Sequence, residues 1–188
     1  MRAVIPRSYS TKESSSAGWL SISRERAVAS SGFGKILADL NRAEIRYVVI
    51  GGIAVIRHGV VRATRDVDVM LAPTEGSRAA LRRLVDDWGA TRQDGTPLGE
   101  ADLIAGRNVH LATPHGLLDA LAEQSPPLTF EEVASRADER RVDGTPAPIC
   151  SLGDLVALKR LAGRPRDEVD LADLETAHGP LPDSRDRT

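Results

Sequence analysis

Two aspartates separated by one valine, Asp66-Val67-Asp68, follow a Gly51-Gly52 pair after thirteen intervening residues. Residues i and i+2 of a strand point the same way, so Asp66 and Asp68 share one face while Val67 and Val69 take the other. Two like charges about 7 Å apart on a half-buried strand raise each other's pKa and cost stability unless a cation lies between them. Mg²⁺ or Mn²⁺ suits such a pair, because these hard ions take one or two carboxylates together with phosphate oxygens. Two such ions can clamp the attacking and leaving oxygens of a phosphoryl or nucleotidyl transfer. Gly51-Gly52 opens a helix whose free amides and positive dipole end can receive a phosphate chain. The expectation is that Gly51 and Gly52 admit an NTP beside a metal-binding strand. Alone, an Asp-x-Asp triplet is common on solvated edge strands; its specificity here comes from the order strand, Gly-Gly, helix, strand.

Elements that hold these residues are legible on both sides. Phe33, Ile36, Leu37, Leu40 and Ile45 recur at helical spacing, and Arg46-Tyr47-Val48-Val49-Ile50 is a short β-branched run ended by the glycines. Asp66 to Leu71 alternates charged with aliphatic residues, the mark of a strand with one buried face. Ala79 to Trp88 reads as a helix and Asp94-Gly95 as a turn. Asn108 to Ala112 and Gly116 to Leu121 read as two short strands about a turn with Pro114. A helix at Phe130 to Ala137 and a strand at Ala147 to Cys150 follow. Ser151-Leu152-Gly153-Asp154 is a capping box for a helix over Leu155 to Leu161, Gly163 and Pro165 break it, and Asp167 to Thr176 forms the last helix. The expected fold class is α/β (α+β), a short mixed sheet flanked by helices with a small helical C-terminal part. Residues 1–30, rich in serine and without apolar periodicity, read as a disordered or extended arm, 31–178 as one domain and 179–188 as a flexible tail.

With this order of elements, the chain resembles the DNA polymerase β-like nucleotidyltransferase superfamily, whose hallmark is Gly-Gly or Gly-Ser followed at a similar spacing by Asp-x-Asp. Within it, Tyr47 to Leu71, with His58-Gly59, Arg62, Thr64 and Asp66-Val67-Asp68, is similar to the AbiEii and MenT group of nucleotidyltransferase toxins of type IV toxin-antitoxin pairs. Lys159 to Asp170, Lys-Arg-Leu-Ala-Gly-Arg-Pro-Arg-Asp-Glu-Val-Asp, is similar to that group's closing lysine and arginine-aspartate motif. The resemblance spans about residues 33 to 176.

It implies a third carboxylate on a neighbouring strand, for which Asp119 in Gly116-Leu117-Leu118-Asp119 is the candidate; the alternatives are that Asp119 caps a helix beginning there, or that His110 takes the place. Lys159 is one of only three lysines, with Lys12 and Lys35. Either it neutralises charge on a departing pyrophosphate or it is a surface lysine whose stem snorkels over its helix. Asp167 and Asp170, three apart on one helix face, orient Lys159, act as a base, or merely favour the helix N-terminus, with Asp170 pairing only with Arg166. Among the basic residues before the metal strand, Arg62 is the one expected on NTP phosphates or an RNA end, whereas Arg57 and Arg65 read as solvated. Thr64 lies two residues before Asp66, where its hydroxyl caps a turn or bonds a phosphate; the resemblance adds that a kinase-type antitoxin phosphorylates a Ser or Thr at this place.

Composition bounds the rest. Lys+Arg 25 against Asp+Glu 27 gives a net charge of -2, so nucleic acid would need a local basic site. A single cysteine, Cys150, excludes a disulfide framework or a Cys-rich cluster and fits a reducing cytoplasm. No apolar run approaches a membrane span. The resemblance implies a metal-dependent enzyme moving NMP from NTP to an RNA acceptor, the 3′ end of tRNA, as a toxin held by a cognate antitoxin. Transfer to a protein or small-molecule hydroxyl, and a catalytically silent nucleotide-binding or antitoxin module, are the rivals.

Overall fold

The computed structural model describes residues 32–103, 107–125 and 128–182. The expected arm 1–30 and the last six residues of the 179–188 tail lie outside them. In chain order the elements are α1 (Phe33–Arg42), β1 (Tyr47–Val49), α2 (Gly51–Arg57), β2 (Asp66–Leu71), α3 (Glu75–Trp88), β3 (Thr91–Arg92), β4 (Val109–Thr113), β5 (Gly116–Leu121), α4 (Phe130–Ser135), β6 (Asp138–Val142), β7 (Thr145–Ile149), α5 (Leu152–Ala162) and α6 (Pro165–His178), with a 3₁₀ turn at Glu100–Leu103. The strands form one seven-stranded mixed sheet in the order β3-β4-β5-β2-β1-β7-β6.

β2 is central: it pairs antiparallel with β1 and parallel with β5. Its Val67, Val69 and Leu71 are buried, as is Met70 on the aspartates' side; each such aliphatic contributes about 1.5–3 kcal/mol by leaving water. α1 packs on β2, β5 and β7 and against α3, while α2 lies on β2 and touches α5. A buried carboxylate joins the first of these layers. Asp39 of α1 accepts from Trp88 Nε1 at 3.0 Å and from Arg42 at 2.6 Å.

β6, β3 and the start of α3 depart from the expectation. β6 went unread because Asp138-Glu139-Arg140-Arg141 is charged throughout and exposed, as an edge strand that must discourage further pairing is. β3 is two residues long and carries no periodicity. α3 begins at Glu75 rather than Ala79, because the Thr74 side chain accepts from the Ser77 amide and caps the helix four residues earlier. Gly163, with φ of 58°, ends α5 as expected, and Pro165 opens α6 at its first turn, where a missing N–H costs nothing. No described helix is long and apolar enough to cross a membrane.

Candidate active site

The parallel register of β2 and β5 makes Asp68 and Asp119 partners, with Asp66 opposite Leu117. Asp119 therefore belongs to a strand and does not cap a helix. One carboxylate oxygen from each of Asp66, Asp68 and Asp119 lies within 4.8 Å of the others. Three hard oxygen donors converging on one point fit a Mg²⁺- or Mn²⁺-like ion. His110 sits opposite Asp119 on β4, its Nδ1 2.9 Å from Asp119 Oδ1. Gln93 Nε2 donates to that same oxygen at 2.8 Å.

The glycine pair is required by the carboxylates themselves. A Cβ on Gly51, whose φ is 60°, would stand 2.0 Å from Asp68 Oδ2, and one on Gly52 would stand 2.4 Å from Thr64 Oγ1. Only residues without a side chain let α2 start this close to β2. The Gly52 amide, expected to face a phosphate, donates to Asp68 Oδ2 at 3.2 Å. Thr64 Oγ1 donates to Asp66 Oδ1 at 2.9 Å. Burial, then the neighbouring Asp66 and Asp119 charges, push the Asp68 pKa up to about 6, against the Gly52 hydrogen bond and the Arg164 charge.

Lys159 is neither exposed nor snorkelling. It is 5% exposed, and its Nζ donates to Asp167 Oδ1 at 3.0 Å and to Asp170 Oδ2 at 2.6 Å. Asp170 also receives Arg62 at 2.5 Å, so it does not pair only with Arg166, which instead donates to the Ala63 carbonyl at 3.0 Å. Asp167 Oδ2 takes the Arg164 amide at 3.2 Å and the Arg164 Nε at 2.7 Å. Burial opposes ionisation of Asp167, but the hydrogen bonds from Arg164 and Lys159 outweigh it and hold its pKa below the usual carboxylate range. Asp167 and Asp170 thus hold the Lys159 ammonium between them.

A cavity of about 330 Å³ joins the two groups, with Gly51, Asp68, Lys159 and Arg164 on its polar side and Met70, Leu121, Leu155 and Leu158 on its apolar side. Arg164 carries only the sequence signal of its place just before Pro165, where the residue is extended and its side chain reaches Asp167 in the first turn of α6. Gln93, in a turn after a two-residue strand, gave no signal. Arg57 and Arg65 are exposed, as expected. His58 serves the fold, its Nε2 lying 2.9 Å from the Cys150 carbonyl.

No protein-family model and no curated protein matches the chain. Solved structures do. The lincosamide antibiotic adenylyltransferase LnuA, lincomycin-bound, aligns with a TM-score of 0.57 at 15% identity over 78% of this chain and 96% of that one. The antibiotic-resistance factor ANT(2'')-Ia aligns with a TM-score of 0.53 at 16% identity over 79% and 83%. An antigenic nucleotidyltransferase-like protein from Paracoccidioides brasiliensis aligns with a TM-score of 0.53 at 17% identity over 79% and 75%. The chain has the nucleotidyltransferase fold, and its acidic triad stands where the central strands of that fold meet.

Proposed function

We propose that this chain is a metal-dependent nucleotidyltransferase that moves NMP from NTP to a hydroxyl acceptor. The observation that carries the reading is the convergence of Asp66, Asp68 and Asp119 within 4.8 Å beside a cavity with Lys159 and Arg164 on its wall. These three carboxylates would hold Mg²⁺ or Mn²⁺, which when bound supplies charge neutralisation at the α-phosphate. Lys159, held by Asp167 and Asp170, and Arg164 oppose the charge that grows on the departing pyrophosphate. Thr64 orients Asp66, and Arg62 ties the segment before β2 to α6 through Asp170. The acceptor oxygen forms a bond to the α-phosphorus, the bond to the bridging oxygen breaks, pyrophosphate leaves with the electron pair, and the hydroxyl proton passes to water.

For the acceptor, the resemblance to the AbiEii and MenT toxins supports an RNA 3′ end, that of tRNA, with a cognate antitoxin as partner and a cytoplasmic setting. The second reading is a small-molecule hydroxyl, favoured by fold neighbours that include a lincosamide adenylyltransferase and a structure holding adenylyl-2"-tobramycin. Incubation with each labelled NTP, Mg²⁺ and total cell RNA, alongside small glycosides, separates the two by where the label goes. Absence of metal-dependent NTP consumption under all of them would return the chain to the silent nucleotide-binding or antitoxin module.

A further inference from the structure

Strand register sets the site out as a row. The Gly52 amide contacts Asp68, Asp68 faces Asp119 across β2 and β5, Asp119 faces His110 across β5 and β4, and Gln93, one residue past β3, reaches back to Asp119. Cations cluster at the α5–α6 side of this row, where Lys159, Arg62 and Arg164 gather about Asp167 and Asp170. At the β3–β4 end the arginine of the strand is committed: Arg92 donates to Asp102 at 2.5 Å and 3.3 Å. A second concavity, of about 360 Å³, opens at that end and is lined by Arg92, Gln93, Asp94, Leu98, Asp102 and Asn108, with Val109 and His110. It shares Asn108 and His110 with the cavity beside Asp68, so the two meet where His110 touches Asp119.

An in-line displacement places the attacking and leaving oxygens on opposite sides of the phosphorus. A departing anion belongs at the cationic end, so the attacking hydroxyl arrives from the other. We infer that the β3–β4 cleft is the acceptor subsite and takes a sugar ring bearing vicinal hydroxyls, neutral or cationic; this rests on the transfer reading above. The lining explains the class. Asn108 Oδ1 is occupied by the Ala122 amide at 2.8 Å, which leaves its NH₂ to donate. Asp94, whose Oδ1 accepts from the Thr96 amide and hydroxyl, is an anchored acceptor at the rim. Two aspartates against one arginine disfavour a phosphate in the cleft, and paired donors and acceptors match a diol. The ring is the terminal ribose of an RNA or part of a free glycoside.

The test is an NMR titration of the full chain, with Mg²⁺ and a non-hydrolysable NTP analogue present, using a short oligoribonucleotide with a free 3′ ribose and, separately, tobramycin. The expected result is saturable shifts of the Gln93 and Asn108 side-chain amides with one probe. Leu98→Trp, which fills the cleft, should weaken that binding about tenfold or more, by about 1.4 kcal/mol, while the affinity for the NTP analogue stays within about twofold. The oligoribonucleotide alone shifting these amides identifies a ribose end, and tobramycin alone a free glycoside. Shifts confined to the Lys159–Arg164 cavity, or none at the cleft up to about 10 mM of either probe, overturn the subsite. Failure of the NTP analogue itself to bind overturns the transfer reading instead.

Discussion

Asp68 and Asp119 are Cα partners across the parallel strands β2 and β5, although fifty residues separate them in the chain. This register, more than either motif alone, assembles the acidic site, because it puts the third carboxylate on the same face and at the same height as the Asp66–Asp68 pair. The arrangement stores repulsion in the metal-free protein and makes the site's behaviour predictable.

Asp66→Ala and Asp68→Ala should each lower nucleotide transfer by about a thousandfold or more, since removing one ligand withdraws several kcal/mol of transition-state stabilisation. Circular dichroism should show the fold retained. Full activity in either variant removes the enzyme assignment.

Asp68 gives a pH signature. Its folded pKa of about 6 lies above the ordinary 3.8, so the folded state holds the proton more tightly than the unfolded chain. The stability this group contributes is therefore present below about pH 4 and lost as pH rises to about 6. Asp68→Asn should raise the melting temperature of the metal-free protein at pH 8, by an amount equivalent to at most about 3 kcal/mol. Mn²⁺ affinity of the unmutated protein should fall as pH drops below about 6, because proton and metal compete for the same carboxylate. Calorimetric titrations at pH 5 and pH 7.5 measure the latter; identical affinities would contradict the assignment of Asp68 as a ligand.

Gly51→Ala places a Cβ 2.0 Å from Asp68 Oδ2 on a backbone with φ of 60°. Both the clash and the conformation disfavour it, so a loss of about 1–3 kcal/mol in urea unfolding and a weakened metal site are expected. A variant as stable as the parent, with unchanged Mn²⁺ binding, would show that Asp68 does not need the approach.

Lys159→Ala leaves Asp167 and Asp170 without their shared cation; about 3 kcal/mol of stability and most of the transfer should go together. Lys159→Arg should recover transfer only in part, because a planar fork cannot replace a compact ammonium between two carboxylates. Transfer by the alanine variant at the parental rate would take Lys159 out of the machinery.

Thr64 donates to Asp66 at 2.9 Å. A phosphate on it would add about -1.5 to -2 charge beside the triad and repel an incoming triphosphate. Thr64→Glu should therefore cut transfer, and Thr64→Ala should do so more mildly. Transfer assays of the two variants measure this; a fully active Thr64→Glu variant would show that charge added at this position does not reach the triad.

Local pattern decided much of this protein. The Val-rich strands, the glycine turn and the period-2 alternation that sends Asp66 and Asp68 to one face are short-range facts of backbone geometry, and so are legible in the chain itself. The cap at Ser151 is local too, and there the Ser151 hydroxyl meets the Asp154 amide at 3.1 Å. Partnerships across the sheet are another matter. Asp119 reads equally as a helix cap until β5 is laid parallel to β2. Asp170 meets Arg62 across 108 residues, and Gln93 meets Asp119 only because a two-residue edge strand turns back toward β4. Lys159 likewise reads either as a cation for phosphate or as a surface residue until α6 brings Asp167 and Asp170 to its Nζ. Residue type and spacing report which side chains share a face, whereas pairing register and helix packing bring charged groups from distant segments within hydrogen-bonding reach, and that is settled by burial of the whole core at once.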